Sequence, residues 1–417
     1  MWNIPEVKLT AKHKRTLRKI KIDAHRPGPI VHDMEALMGF VAAHELRVSK
    51  KNQLLPRKVL ADVNALMAHP IEVRLKRPQL GSYPHIEGLY LLLRATGLGQ
   101  IAGPASKPIL TLNQALLDSW SSLNLTERYI SLLETWVLDA DPQIIGSRFA
   151  PDPGFDLVRS CLWMFESIPS QGLDLSGAEG EGHHVRYSPG LMSIALLELF
   201  GLLAVEQGAP QEGKGWQIAR LRRVGIGEAV FAVCFEYVRS NLSLLFAREE
   251  QPPSSEDTLR SALQPYFADL KRRLEAPVWA FREGTHVFKV SLGRALWRRI
   301  AIQGDRTLDT LADAILRAYD FDHDHLYRFS YRNQLGATER AMHPWMDEGP
   351  WASEVRVGDV PLPVGQNMDY LYDFGDSWQF SLTLERVDPP ASKDVVILDR
   401  AGEAPEQYPS WEDEGDF

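Results

Sequence analysis

Hydrophobic positions recur at helical spacing over much of the first 247 residues. The stretches "DMEALMGFVAAHEL", "HIEGLYLLLRATGL" and "PGLMSIALLELFGLL" place apolar side chains every three or four residues, which predicts helices. Two alternating runs, "LLAVEQ" and "WQIARLRR", flank the Gly/Pro-rich "GAPQEGKG", and this arrangement predicts a β-hairpin. The order helix, hairpin, helix occurs twice, with "PILTLN" as a strand of the first copy. The region is therefore predicted to be mainly α-helical, with a repeated module.

The repeated order resembles a tandem of winged-helix modules over residues 81–247. That resemblance implies a recognition helix in a DNA groove and a hairpin, the wing, on the DNA backbone. The second predicted wing carries Lys214, Arg220, Arg222 and Arg223. The helix before it, "SIALLELF", lacks the basic side chains that phosphate contacts need. A module that packs against protein instead of DNA therefore stays open.

The pattern changes to α+β from about Thr285. "THVFKVSL" and "WRRIAIQ" alternate as two strands of a hairpin. "TLDTLADAILRAYDF" predicts an amphipathic helix with Thr307 as its N-cap. "HLYRFSY" predicts the next strand, and "VRVGDVPL" and "DYLYDFGDSWQFSLTLE" predict more. The expected fold class is a multidomain chain: a mainly α region followed by an α+β domain with ββαβ order and further strands.

These patterns divide the chain into four expected segments. "REEQPPSSEDTLRS" has the composition of a linker, and the helix after it is expected to begin at Ser254 or Ser255 and to kink or split at Pro265. The segments are a basic helical head (1–80), the winged-helix-like tandem (81–247), a linker with a helix (248–284), and the α+β domain with an acidic tail (285–417).

Charge is distributed unevenly along the chain. Residues 1–80 carry 16 lysines and arginines against 7 acids, and residues 340–417 carry 5 against 17. Such a basic head suggests nucleic acid as a partner, although two solvated faces that attract each other explain the same numbers. The candidate nucleic-acid-binding residues are Lys12, Lys14, Arg15, Arg18, Lys19 and Lys21 in the head, and Arg220, Arg222 and Arg223 in the wing.

Cysteine content and hydropathy indicate the compartment. Cys161 and Cys234 are the two cysteines, and both lie in apolar surroundings, which predicts buried free thiols and a reducing compartment. No apolar run approaches the length of a membrane span. We therefore expect a cytoplasmic protein without a membrane partner.

The motif D-F-G within "DYLYDFGDSWQF" does not indicate a protein kinase. The catalytic loop, the glycine-rich phosphate loop and the strand lysine of kinases do not occur in the sequence. Tyr370, Tyr372 and Phe374 share one parity before Gly375, and an aromatic and aliphatic series shares it afterwards. The stretch therefore predicts β-structure that is interrupted at Gly375 by a bulge or tight turn and has a buried apolar face.

Several motifs in order over residues 285–400 resemble the plasmid pRiA4b ORF-3-like family. They are Trp297-Arg298-Arg299-Ile300, Thr307-Leu308, His325-Leu326 with Phe329, Tyr372-Asp373-Phe374-Gly375-Asp376, and Trp378. The family occurs on plasmids and beside transposable elements and has no assigned biochemical activity, so the resemblance implies an association with mobile DNA.

The sequence departs from that family at three places. Gln379 and Phe380 follow Trp378 where family members often have a histidine, and Tyr327 replaces the second histidine of H-L-H. The segment "RAGEAPEQYPSWEDEGDF" has no cysteine, whereas a cysteine-rich segment often stands there. Most groups that could carry a metal or redox role in the family are therefore absent.

The remaining candidate chemistry centres on acids, arginines and aromatic residues of this domain. Arginine binds carboxylates in a bidentate manner and stacks on aromatic rings, so the leading interpretation pairs Arg298 or Arg299 with Asp373 and Asp376 in a structural cluster. A ligand pocket is the sharper alternative, and a metal site that combines these acids with Asp322, His323, Asp324 and His325 is another. The cluster comprises Trp297, Arg298, Arg299, His325, Tyr372, Asp373, Asp376 and Trp378.

No catalytic motif or cofactor fingerprint is present, and the identity of any metal stays unknown. The sequence therefore favours a non-enzymatic accessory or regulatory protein of mobile elements that contacts nucleic acid or a protein partner. The alternative is a metal-binding or small-ligand domain, or an unrecognised enzyme, centred on the C-terminal cluster.

Overall fold

The computed structural model describes residues 7–103, 107–145, 152–176, 183–240, 258–275, 279–390 and 395–408. Residues 248–257 of the predicted linker and 409–417 of the acidic tail lie outside these ranges. The chain divides into two compact units: Met1–Ala102 with Pro108–Pro277, and Gly103–Lys107 with Val278–Phe417. Within the described ranges, every helix is too short or too polar to cross a membrane.

The first unit is mainly helical, as its periodicity predicts. The short strands form two antiparallel sheets, in the orders β1-β3-β2 and β4-β6-β5. The helices are α1 (Ala11–Lys19), α2 (Ile30–Ala43), α3 (Leu60–Leu66), α4 (Pro84–Ala95), α5 (Gln114–Ser122), α6 (Leu125–Glu134), α7 (Pro142–Ile145), α8 (Phe155–Ser167), α9 (Leu191–Leu199), α10 (Gly225–Ser240) and α11 (Leu259–Leu263). The strands are β1 (Leu46–Arg47), β2 (Gly99–Ala102), β3 (Ile109–Leu112), β4 (Leu173–Asp174), β5 (Leu203–Gln207) and β6 (Ile218–Arg223).

One succession of elements occurs twice in this unit. The first module runs α2, β1, α3, α4 and the hairpin β2–β3. The second runs α8, β4, the 3-10 turn His183–Arg186, α9 and the hairpin β5–β6. The hairpin that the sequence predicts around "GAPQEGKG" is thus present. In both modules the first strand pairs with the last strand of the hairpin.

The two modules meet through α4 and α9. A Cβ atom added to Gly88 on α4 would lie 2.7 Å from the Cγ atom of Leu196 on α9, so only glycine permits this approach. Beside it, His85 Nε2 lies 2.7 Å from Glu198 Oε2. Nearly every side chain of both helices is buried. The helix that precedes the hairpin in each module therefore has no free face for another molecule.

The basic start of the chain forms a helix that is fixed to this unit. Thr10 caps α1, since its side chain accepts a hydrogen bond from the backbone of His13. Leu17 is fully buried, and α1 packs along α10. The backbone N–H of Leu9 donates to Glu236 Oε1 at 2.9 Å. Residues 11–19 of the basic head are therefore helical and held against α10.

Both cysteines are free and buried, as the sequence predicts. Cys161 lies on α8 and Cys234 on α10. Burial raises the pKa of the Cys234 thiol to about 12 and that of Cys161 well above its ordinary value. A thiol held in its neutral form is a poor nucleophile and a poor metal ligand, so these residues contribute to packing.

The second unit is an antiparallel sheet of seven strands with one amphipathic helix packed on it. The strand order is β10-β9-β11-β12-β7-β8-β13. Thr307 caps α12, and the predicted apolar face of this helix is buried in the core. The elements are β7 (Thr285–Ser291), β8 (Trp297–Gln303), α12 (Leu308–Tyr319), β9 (Tyr327–Arg332), β10 (Thr338–Met342), β11 (Asn367–Tyr372), β12 (Trp378–Asp388) and β13 (Val396–Ala401).

Two predicted elements differ from the structure. "VRVGDVPL" is not a strand: it forms the 3-10 turn Val357–Asp359, in which Asp359 accepts from the Arg356 guanidinium. The helix after the linker is short: α11 ends at Leu263 before Pro265, and the described residues after it do not return to α-helix up to Glu275. Its described start is capped by Thr258, whereas Ser254 and Ser255 lie outside the described residues.

The contact at Gly88 predicts a specific cost for one methyl group. We expect Gly88→Ala to lower the free energy of unfolding by about 1–3 kcal/mol, because α9 must move away from the added Cβ. The matched control is Gly39→Ala on α2, where an added Cβ meets nothing within 4 Å and the helix gains about 0.5–1 kcal/mol. Urea unfolding followed by tryptophan fluorescence measures both. Equal effects of the two substitutions would show that α4 and α9 are not closely packed in solution.

Candidate functional site

The D-F-G-D stretch is the loop of a β-hairpin. Strands β11 and β12 pair up to Tyr372 and Trp378, and residues 373–377 connect them. Asp373 and Ser377 adopt left-handed backbone conformations, with φ of 53° and 56°. Asp373 Oδ1 accepts from the Gly375 N–H at 2.8 Å, and the Asp373 carbonyl accepts from the Ser377 N–H at 2.7 Å. The predicted turn at Gly375 is therefore present, and its first acid is used to close the loop.

The hairpin places its aromatic residues in the core, with one exception. Tyr370, Tyr372 and Phe380 are fully buried, and Trp378 is half-buried. Phe374 was expected on the same face, but it is 39% exposed and lies under the Arg328 guanidinium. The alternation that the sequence pattern assumes ends at Tyr372, because the next residue already belongs to the turn.

Arg298 binds backbone carbonyls and not the acids of the loop. Its side chain is buried, and its Nε donates to the Ala318 carbonyl in the last turn of α12 at 2.8 Å. Its Nη1 donates to the Ala401 carbonyl at 3.0 Å and to the Gly402 carbonyl at 3.2 Å. The guanidinium stacks over Tyr319 at 4.6 Å. Arg298 therefore connects the end of α12 to β8 and to the end of β13.

Arg299 pairs with two acids that the sequence interpretation did not consider. Its Nε lies 2.6 Å from Glu385 Oε2, and its Nη1 lies 2.9 Å from Asp399 Oδ2. The Trp297 ring lies 5.0 Å from the Arg299 guanidinium. The proposed pairing of Arg298 or Arg299 with Asp373 and Asp376 is thus wrong. Partners on α12, β12 and β13 already engage the two arginines, and the loop acids lie in the turn between β11 and β12.

His325 and its neighbours form a different polar group, here called the His325 cluster: Asp324, His325, Tyr372, Asp373, Gln407 and Tyr408. His325 Nε2 lies 3.5 Å from Asp373 Oδ2 and 3.8 Å from Asp324 Oδ2. The His325 side chain is 40% exposed, whereas Asp373 is buried. The structure places three residues of the predicted cluster close together: His325, Tyr372 and Asp373. Asp376 is exposed and forms no ion pair with any described residue.

Two tyrosine hydroxyls contact the carboxylate of Asp324 in this cluster. Tyr372 OH lies 3.1 Å from Asp324 Oδ1, and Tyr408 OH donates to Asp324 Oδ2 at 2.9 Å. Burial acts to raise the pKa of Asp324, but the hydrogen bonds from Tyr408 and Tyr372 outweigh it, so the pKa is lowered. Gln407 also contacts this group, through Tyr408 OH at 2.7 Å. Asp324 is thereby kept as a carboxylate next to an accessible imidazole.

The metal site considered from the sequence does not assemble. His323 Nδ1 points to Asp313 Oδ1 at 3.1 Å, away from the His325 cluster, and Asp322 contributes its backbone carbonyl to Tyr372. Across the ranges that the structure describes, no three histidine, cysteine or acidic side chains are arranged to hold a metal ion. Asp324 and His325 approach each other, but Asp322 and His323 have other partners, so four consecutive ligand types do not make one site.

Sequence reasoning missed Gln407, Tyr408 and Glu385. Tyr408 lies 84 residues after Asp324 in the chain, and Glu385 lies 86 residues after Arg299. No local spacing connects such positions. The only usable signal for Glu385 was strand register, since β12 and β8 both pair with β7.

The basic residues predicted to bind nucleic acid fall into two groups. All six of the head are exposed, and none forms an ion pair with a described residue. The three wing arginines are instead each paired with an acid. These pairs are Arg220 with Asp174 at 3.4 Å, Arg222 with Glu206 at 2.6 Å and Arg223 with Glu228 at 3.4 Å.

The fold of the second unit defines its class: an α+β domain with one helix on a seven-stranded antiparallel sheet. The family model described as "Plasmid pRiA4b ORF-3-like protein" matches residues 286–408, which confirms the resemblance of this domain. "Uncharacterized protein y4hQ" of Sinorhizobium fredii (strain NBRC 101917 / NGR234) is 28% identical over 111 residues. That match covers 26% of this chain and 56% of the relative, so the chain spans only about half of the relative's length.

A solved structure is also similar in part. It is the protein of unknown function MM3350 from Methanosarcina mazei Go1, which is 24% identical, with a TM-score of 0.28, over 29% of this chain and 71% of that chain. Neither name states an activity that could be compared with the His325 cluster.

The contacts of Arg298 predict a large difference between two adjacent arginines. We expect Arg298→Met to lower the free energy of unfolding by about 2–4 kcal/mol, because the buried carbonyl of Ala318 and the two part-buried carbonyls at the end of β13 lose a charged donor. Arg299→Met should cost about 1 kcal/mol or less, because its ion pairs are partly exposed. Thermal and urea unfolding of the two variants give the comparison. Similar costs would refute the assignment of Arg298 as the internal connection of this domain.

The hydrogen bond from Tyr408 predicts a change in titration. In Tyr408→Phe, the pKa of Asp324 should rise towards its ordinary value, because one donor to the carboxylate is lost. A depressed pKa stabilises the fold above the unfolded value of about 3.9 and ceases to do so as the pH falls through the folded value. The variant should therefore lose some stability near neutral pH and lose little at low pH.

Carboxyl-carbon NMR titration measures this directly. Glu385 is the internal control, since its pKa is held low mainly by a hydrogen bond from Arg299 and Tyr408 is not among its partners. An unchanged titration of Asp324 in Tyr408→Phe would contradict the assigned hydrogen bond.

Proposed function

We propose that this protein is a non-enzymatic accessory protein that binds the backbone of double-stranded nucleic acid through α1. The observation that supports this most is the charge of α1 and its C-terminal end. Lysine and arginine side chains are exposed there without an acidic partner among the described residues. They are Lys12, Lys14, Arg15, Arg18, Lys19 and Lys21. Unpaired cations on a surface are what phosphate binding requires, because each contact releases condensed counterions.

The element order supports a winged-helix-like identity for the two modules. Each has a helix, a strand, two helical segments and a hairpin, with the first strand next to the last. In DNA-binding proteins of this kind, the helix before the hairpin reads the major groove. Here those helices are α4 and α9, which bury each other around Gly88. The modules are therefore proposed to act as a scaffold, and no groove reading is assigned to them.

The wing is proposed to contribute less than α1. Each of its three arginines already faces a carboxylate of the same unit. A phosphate would have to compete with that carboxylate, which reduces the gain from a new contact. Binding that rests on α1 should consequently be independent of base sequence, because phosphate contacts position a protein without reading bases.

The second unit is proposed to supply the link to mobile DNA. Its match to a family described from a plasmid supports that association. A protein partner remains the other kind of contact proposed for this unit. The partly exposed His325 cluster supports a small-ligand site as the second candidate, with an imidazole near two carboxylates.

The first test is the salt dependence of duplex binding. We expect Lys12→Ser/Lys14→Ser/Arg15→Ser to weaken binding to any duplex and to reduce the slope of log affinity against log salt by about 2–3, at ~0.9 per lost contact. Fluorescence anisotropy with two unrelated duplexes over a range of salt concentrations measures the slope. Wild-type protein that fails to bind either duplex at low salt would refute the proposal.

A charge-matched control separates a local surface from net charge. Arg294→Ser/Arg340→Ser/Arg400→Ser removes the same number of positive charges from exposed positions of the second unit. This variant should keep the wild-type affinity and slope. If both triple variants lose the same affinity, α1 is not a specific contact surface.

A further inference from the structure

We propose that a second surface of the first unit contacts the same duplex: the Lys50 segment, residues 48–58, between β1 and α3. This inference rests on the proposed function, and it extends the contact from one helix to a tract on the first module. Four side chains carry the argument: Lys50, Lys51, Arg57 and Lys58.

The charge of the Lys50 segment is uncompensated. Its sequence, "VSKKNQLLPRK", contains four basic residues and no acid. All four are exposed, and within the described ranges none forms an ion pair. Two other arginines of the same module behave differently, since Arg47 binds Glu45 at 3.0 Å and Arg74 binds Glu72 at 2.7 Å. Some cations of the module therefore form ion pairs with acids, whereas the four cations of the Lys50 segment do not.

The backbone of the segment is held in one conformation. Ser49 N–H donates to the Leu54 carbonyl at 3.0 Å, and Gln53 N–H donates to the Ser49 carbonyl at 2.8 Å. Gln53 has a φ of 51°, and its carbonyl accepts a hydrogen bond from Tyr90 OH of α4. Val48 and Leu55 are buried on either side of this turn. The basic side chains therefore project from a fixed support, which lowers the entropy lost on binding.

The chemistry of both surfaces favours a duplex over other polyanions. Single-stranded nucleic acids are bound by aromatic side chains that stack on bases. Neither the Lys50 segment nor α1 contains such a residue, and the half-buried Tyr266 beside α1 already lies under the Arg18 guanidinium. Membrane-surface binding gains strength from exposed apolar side chains, and the segment offers few, since Val48 and Leu55 are buried and Leu54 is half-buried. A double helix presents regularly spaced phosphates whatever its base sequence. Cationic side chains are sufficient to bind them, without aromatic or apolar contacts.

The experiment compares four full-length proteins: wild type, the α1 triple variant, a segment variant and their combination. The segment variant is Lys50→Ser/Lys51→Ser/Arg57→Ser/Lys58→Ser. We expect it to reduce the salt slope by about 2–4 at ~0.9 per contact, and we expect the combined variant to show the sum of both reductions. Circular dichroism and thermal unfolding check that each variant is folded, and Lys50→Gln/Lys51→Gln is the milder replacement if the quadruple variant is not.

Each outcome has a distinct meaning. A segment variant with wild-type affinity and slope, beside a weakened α1 variant, overturns the inference and leaves the proposed function in place. Absence of duplex binding by the wild type overturns both. The matched control is Arg47→Ser/Arg74→Ser, which removes paired arginines and should change little. Tighter binding to a single-stranded oligonucleotide or to phosphatidylserine vesicles than to the duplex would also overturn the inference.

Discussion

The contact between α4 and α9 at Gly88 decides what the first unit can do. At that point the backbone of one helix lies against the Leu196 side chain of the other, and a single methyl group does not fit. The contact joins two modules of the same element order and removes from solvent the two helices that such modules would otherwise present. Any activity of this unit must therefore use the outside of the pair. Exposed cations without an ion pair lie there, among them those of α1 and the Lys50 segment.

In the second unit, the family motif serves mainly to build the domain. Arg298, the buried arginine of W-R-R-I, donates hydrogen bonds to carbonyls at the end of α12 and at the end of β13. Regular backbone partners are missing at such ends. In the D-F-G-D turn, the first acid, Asp373, accepts a hydrogen bond that closes the hairpin loop. The groups that can contact another molecule are those that the motif positions and that stay exposed to solvent. His325 and the carboxylate of Asp324 are such groups, and both remain accessible.

Periodicity predicted the elements that have one buried face. α12, with its capping Thr307, and the hairpins β5–β6 and β7–β8 follow from the sequence because their apolar positions repeat at fixed intervals. Phe374 was misplaced because a left-handed residue at Asp373 ends the strand one position earlier than the alternation suggests. The Arg299–Glu385 and Asp324–Tyr408 contacts join residues more than 80 positions apart, which periodicity does not report.

The fixed position of α1 has a consequence for how fast and how selectively the protein can meet a charged partner. A basic tail that is free to move searches a large volume and adapts to many shapes. The cations of α1 instead share the rigid-body motion of the unit, because Leu17 is buried and the helix lies along α10. For the proposed contact with a polyanion, encounter then depends on the orientation of the whole unit.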